Sequence, residues 1–72
     1  MSKKIKIQEI IPFLKDGWVA MDEKGAWTWF SSTPILCPKG YAPLEGNVLL
    51  LNWCFDIEQV DDWKSSLIRV EN

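Results

Sequence analysis

Residues 17–30, GWVAMDEKGAWTWF, carry three of the five tryptophans in a chain of 72 residues and read as a β-hairpin. Apolar, aromatic runs at 18–21 and 27–30 flank Asp22-Glu23-Lys24-Gly25, and two such runs joined by a short polar turn ending in Gly are a hairpin signal. A type I turn closed by Gly25 fits best, because glycine tolerates the positive φ that the last member of this loop requires. That closure sets the register: Met21 opposite Trp27, Ala20 opposite Thr28, Val19 opposite Trp29, Trp18 opposite Phe30. Strand side chains alternate, so one face carries Val19, Met21, Trp27 and Trp29 and the second carries Trp18, Ala20, Thr28 and Phe30. Both faces are apolar. One small core needs one such face, so the second is the candidate interface, formed by Trp18, Ala20, Thr28 and Phe30 and covered by another copy, by a partner or by the N-terminal helix.

Working outward, Val48 begins a run, VLLLNWCFDI, whose odd positions Leu49, Leu51, Trp53, Phe55 and Ile57 are all apolar. The alternation predicts a strand over 48–57 with that face in the core, opposite Val19, Met21, Trp27 and Trp29. On the N-terminal side, Ile10, Ile11, Phe13 and Leu14 before Lys15-Asp16-Gly17 predict a short amphipathic helix over about 9–16. Pro12 is tolerated only in its first turn, where the missing N–H has no partner to lose. Before it, residues 4–7 read as extended. In the tail, Asp61 or Asp62 caps a helical turn containing Trp63, and Leu67, Ile68 and Val70 continue either as helix or as a closing strand over 67–70. A turn of helix followed by a strand is the preferred alternative.

Residues 31–47, SSTPILCPKGYAPLEGN, hold three prolines and two glycines and read as irregular, with a turn at Cys37-Pro38-Lys39-Gly40. Ile35, Leu36, Tyr41 and Leu44 pack the segment down, whether it is a functional loop or a cap over the sheet. The expected architecture is a single α+β domain over 1–72: an antiparallel sheet of three to four strands with one short helix.

At this length a single core rarely yields more than about 3–5 kcal/mol, so five tryptophans make either a heavy core or part of an oligomer interface. Trp27, Trp29 and Trp53 fall on the inward faces and are expected in the core. Cys37 and Cys54 form no CxxC pair and the chain has no histidine, so neither a metal site nor a disulfide is expected. The N-terminal MSKKIKIQ puts charges where a secretory leader has an apolar core, and no apolar run approaches the ~18 residues of a membrane span; a cytoplasmic protein is expected. The net charge of −2 is divided: residues 1–44 hold six lysines against four acids, residues 45–72 six acids against Lys64 and Arg69. Only Lys3, Lys4 and Lys6 cluster, which is a solvated end and not the basic stripe of a duplex nucleic-acid binder.

Acid–base chemistry without histidine needs a carboxylate with a shifted pKa. Asp56, Glu58, Asp61 and Asp62 sit where solvated carboxylates are ordinary and lack the spacing of a calcium loop. With no nucleophile elbow, P-loop or dinucleotide fingerprint, no enzyme, catalytic residue or cofactor is expected.

Residues 13–30, FLKDGWVAMDEKGAWTWF, followed by 61–71, DDWKSSLIRVE, resemble a set of short proteins of unknown function encoded by tailed bacteriophages and prophages. Those proteins show a GWVAMDxxGxWxWY-type hairpin and a DWxxSL tail, and Phe30 stands here at the pattern's tyrosine. The resemblance covers about 30 of the 72 residues and transfers no catalytic motif. It implies a phage accessory protein acting in the cytoplasm of the bacterial host, a class that includes inhibitors of host immunity. The leading expectation is therefore a non-enzymatic interaction protein, a homo-oligomer and in the simplest case a dimer, that binds a host protein and blocks an antiviral system. One alternative is a module that sequesters a nucleotide signal, with Trp18, Phe30 and Tyr41 stacking on the base and Lys24 or Lys39 meeting phosphate. Another is a phage structural or assembly component.

Overall fold

The computed structural model describes residues 4–72. A short helix, α1 (Ile7–Ile10), leads into a 3₁₀ turn, Ile11–Phe13. Six strands follow: β1 (Gly17–Met21), β2 (Trp27–Phe30), β3 (Ile35–Cys37), β4 (Gly40–Ala42), β5 (Val48–Leu50) and β6 (Ile68–Val70). The sheet order is β5-β2-β1-β6, all antiparallel, and β3 and β4 pair separately. The protein is thus small α+β, with the tryptophan hairpin as the central pair of a four-stranded sheet.

The hairpin register is the one that Gly25 sets, from Met21 opposite Trp27 to Trp18 opposite Phe30. Gly25 has φ +88°. Its N–H donates to the Asp22 carbonyl at 3.0 Å and the Asp22 N–H to the Ala26 carbonyl at 3.0 Å. Asp22 also accepts the N–H groups of Lys24 and Ala26 on one carboxylate oxygen, both at 2.9 Å. One aspartate thus satisfies three of the turn's backbone donors through its carbonyl and side chain.

On the first face, Val19, Met21 and Trp27 pack with Ile7 and Ile10 of α1 and with Leu51, Ile57 and Val70. This is the core. Trp29, Ile68, Leu14 and Trp63 lie partly buried at its margin. α1 therefore covers the first face, and it starts earlier than the proline rule suggested. Its first turn is fixed by the Glu9 carboxylate, which accepts the Lys6 N–H at 2.9 Å. Pro12 stands within the 3₁₀ turn, where no i→i−4 donor is needed. Ile5 sits in a parallel bridge to Ile57, its N–H donating to Asp56 and its carbonyl accepting from Glu58, both at 2.8 Å. Lys3 lies outside the described residues; Lys4 and Lys6 are exposed.

The strand expected over 48–57 ends at Leu50. Leu51–Trp53 is a 3₁₀ turn, and the Asn52 side chain accepts the Trp27 N–H at 2.9 Å, taking the place the next strand residue would fill. The bend drops Leu51 into the core and carries Trp53 out to solvent, while Ile57 returns to the core. Residues 31–47, expected to be irregular, contain the β3–β4 hairpin, which turns at the anticipated Cys37–Gly40. The tail is a 3₁₀ turn, Trp63–Ser65, followed by β6. Asp62 caps it, accepting from the Lys64 N–H at 3.2 Å and the Ser65 hydroxyl at 2.9 Å. No helix among the described residues is long and apolar enough to cross a membrane.

Ser66 joins this tail to the hairpin. Its buried hydroxyl accepts the Met21 N–H at 2.7 Å, at the point where β6 has ended and β1 still needs an acceptor. Ser66→Ala leaves that donor buried and unpaired, at about 1–3 kcal/mol. Thermal unfolding is expected to fall by roughly 4–8 °C for each kcal/mol lost. An unchanged melting temperature would show that water replaces the hydroxyl.

Candidate interaction surface

The register brings Trp18, Ala20, Thr28 and Phe30 together on the second face of the hairpin, as the sequence requires. They do not form a free surface. Ala20 and Phe30 are each only 2% exposed, and Trp18 and Thr28 are half-buried. The cover comes from within the chain, and residues 31–47, expected to be irregular, contribute to it. Both edges of β1 are occupied by β2 and β6 and its first face by the core, so β4, which packs close to β1, reaches it from the second side. The two hairpin turns are tied together where the Glu23 N–H donates to the Lys39 carbonyl at 3.1 Å. Gly40 passes so near Asp22 that a Cβ there would stand 2.9 Å from the Asp22 Cβ. At the other end, the Arg69 guanidinium lies over the Trp18 ring, 5.5 Å from its centroid.

The stacking set is likewise committed to the fold. Phe30 is buried, and Tyr41 meets the Trp63 ring edge-on, centroids 6.3 Å apart, while its hydroxyl donates to the Lys64 carbonyl. Lys24 and Lys39 are exposed on the two adjoining turns. Phe30 is therefore not open to stack on a base, and Tyr41 is half-buried with its ring edge-on to Trp63. Cys37 and Cys54 are unpaired. Among the described residues no group of three His, Cys, Asp or Glu side chains is placed to hold a metal.

What the fold does expose lies elsewhere. Trp53, expected in the core, is 84% exposed on the 3₁₀ turn after β5. Phe55 is partly exposed two residues on, and the two border an open cleft with Asn52, Cys54 and Asp56. Phe13, expected on the packed side of the helix, is 85% exposed and rims a second groove with Leu14, Lys15, Trp29, Asn47 and Leu49. Trp27 and Trp29 do turn inward; each indole N–H donates at 3.0 Å, to the Glu58 and Lys15 carbonyls respectively.

The Trp53 turn is rigidly based. Leu51 is fully buried beneath it, Asn52 is held by the Trp27 N–H, and the Cys54 and Phe55 N–H groups both donate to the Leu51 carbonyl, at 3.0 and 2.9 Å. An indole displayed on such a base has little backbone ordering left to lose on contact. The sequence signal for this exposure was Asn52, a polar break in an otherwise apolar run. No family model, curated protein or solved structure matches this chain.

Proposed function

We propose that this is a phage-encoded, non-enzymatic interaction protein that binds a host protein in the bacterial cytoplasm, with Trp53 as the anchor of the contact. The observation that carries this reading is the exposure of Trp53 on a turn whose neighbours Leu51 and Asn52 are fixed by the fold. Tryptophan is enriched among residues that dominate binding energy, and an anchor of this kind acts by filling a pocket on its partner. Phe55 is a second exposed aromatic beside it, and Asn52, Cys54 and Asp56 complete a polar border to the cleft. Phage origin and the cytoplasmic setting rest on the resemblance carried by residues 13–30 and 61–71, and inhibition of an antiviral protein is one of the roles in the class that resemblance implies. No specific observation favours nucleotide sequestration or a virion role.

The test is a comparison of the immobilised parent with Trp53→Ser in lysate of a bacterial host, the retained proteins being identified by mass spectrometry. Since Trp53 contributes little to the core, the variant should keep its stability to within about 0.5 kcal/mol. A host protein held by the parent and released by the variant is the expected result. Identical retention by both removes Trp53 from the contact.

A further inference from the structure

The two edges of the four-stranded sheet are finished differently. On β6, Arg69 is exposed and has Glu71 beside it at 4.0 Å. Charged side chains of this kind discourage an edge strand from pairing with another chain. β5 has no such protection. Residues 46–55, GNVLLLNWCF, contain neither a charge nor a proline, and Val48 and Leu49 are 51% and 46% exposed.

The direction of the β5 backbone follows from its pairing with β2. The Ser31 N–H donates to the Asn47 carbonyl at 3.0 Å, and Leu49 stands opposite Trp29. Alternation then turns the N–H and C=O of Leu49 toward β2 and those of Val48 and Leu50 outward, away from the sheet. No other strand of the sheet lies beyond them, and the Leu50 carbonyl, at the N-cap of the 3₁₀ turn Leu51–Trp53, accepts the first bond of that turn. The result is a short template made of the Val48 and Leu50 N–H groups, the Val48 carbonyl and the second lone pair of the Leu50 carbonyl.

We propose that β5 pairs antiparallel with β5 of a second copy about a two-fold axis through Leu49, joining the two sheets into one. Val48 then lies opposite Leu50 of the second copy, and the reverse, with the Leu50 N–H donating to the Val48 carbonyl and the Val48 N–H sharing the Leu50 carbonyl with the turn. An antiparallel edge is its own complement under a two-fold, which is the commonest symmetry of soluble oligomers. The uncharged run sets no like charges against each other across the axis. Leu49 meets its counterpart on the first face, where it also lines the groove with Phe13 and Trp29. The two grooves thus approach one another beside the axis, with Phe13 at the rim of each. Val48, Leu49 and Phe13 with a three-residue strand edge make a contact smaller than the ~800 Å² per partner of a standard interface. The dimer is therefore concentration-dependent. The pairing residues are Val48, Leu49 and Leu50, and the Leu50 variants below keep Trp53, so self-association and host binding are tested separately.

Sedimentation velocity over a concentration series, on the full chain and two variants, tests the proposal. Leu50 has φ −78°, so Leu50→Pro fits the backbone and removes an outward N–H without touching the β2 ladder. Leu50→Ala shortens the same side chain and keeps that donor. The parent and Leu50→Ala should sediment faster as concentration rises, whereas Leu50→Pro should remain a monomer with the parent's circular dichroism. Amide exchange on the parent gives a reading independent of any variant: the Val48 and Leu50 amides should be protected at high concentration and not at low. A parent monomeric throughout, a Leu50→Pro protein that dimerises like the parent, or protection of these amides that ignores concentration would each overturn the proposal.

Discussion

Trp27→Ala is expected to leave the chain unfolded at room temperature. Trp27 has no solvent exposure and is the largest fully buried side chain, packed with Val19, Leu51, Ile57 and Val70 beneath α1. Truncating a buried tryptophan costs about 3–5 kcal/mol, because the cavity left behind closes only in part. A domain of this size has about that much stability in total. The variant also leaves the Glu58 carbonyl without the indole N–H that it accepts at 3.0 Å. Trp27→Phe separates the two contributions, since it keeps most of the volume and loses only the donor; it should fold, with a lowered midpoint. The measurement is urea denaturation followed by far-UV circular dichroism. A cooperative transition for Trp27→Ala near the parent's midpoint would show that the core closes over the gap.

The contrast between Trp27 and Trp53 marks how far the sequence could be read. The hairpin was legible in full because its register depends on one local fact, the left-handed residue at Gly25, and everything on its two faces follows by alternation. Trp53 was misplaced because alternation assumes an unbroken strand. Leu51 is buried both in a strand and in the 3₁₀ turn that replaces it, so the pattern up to that point does not tell the two apart. The break is decided by the Asn52 side chain finding the Trp27 N–H, a contact 25 residues away in sequence. The approach of β4 to β1 was hidden for a similar reason. β3 and β4 have three residues each, lie among prolines and leave Ile35 and Leu36 exposed, so no periodicity announces them. The tail was read more successfully, since Asp62 caps its turn by local bonds alone. Where a structural choice is local, residue chemistry determines it; where it depends on a distant backbone group, composition and period are silent.

Gly17→Ala is expected to destabilise the protein more than Gly25→Ala, although only Gly25 has a left-handed backbone. An alanine at Gly25 takes on the strain of φ +88°, roughly 1–2 kcal/mol. Its Cβ would come within 2.2 Å of the Gln59 side chain, but that chain is flexible and can swing aside. At Gly17 the new Cβ would stand 2.3 Å from the Phe30 carbonyl oxygen and 2.9 Å from the Trp29 indole nitrogen. Neither neighbour is free to move. Phe30 lies in the ladder opposite Trp18, and the Trp29 indole is held by the Lys15 carbonyl, so relief requires β1 and β2 to part at their open end. Overpacking of this kind costs about 1–3 kcal/mol, and here it falls between the two central strands of the sheet. Loss of the Trp18–Phe30 pairing also loosens Gly17 and Trp18 from Val70 and Arg69 of β6. The melting temperature should therefore fall further for Gly17→Ala than for Gly25→Ala, by roughly 4–8 °C for each additional kcal/mol. The reverse order would mean that the strand ends separate easily and that the turn, not the strand crossing at Gly17, is the tighter constraint on the hairpin.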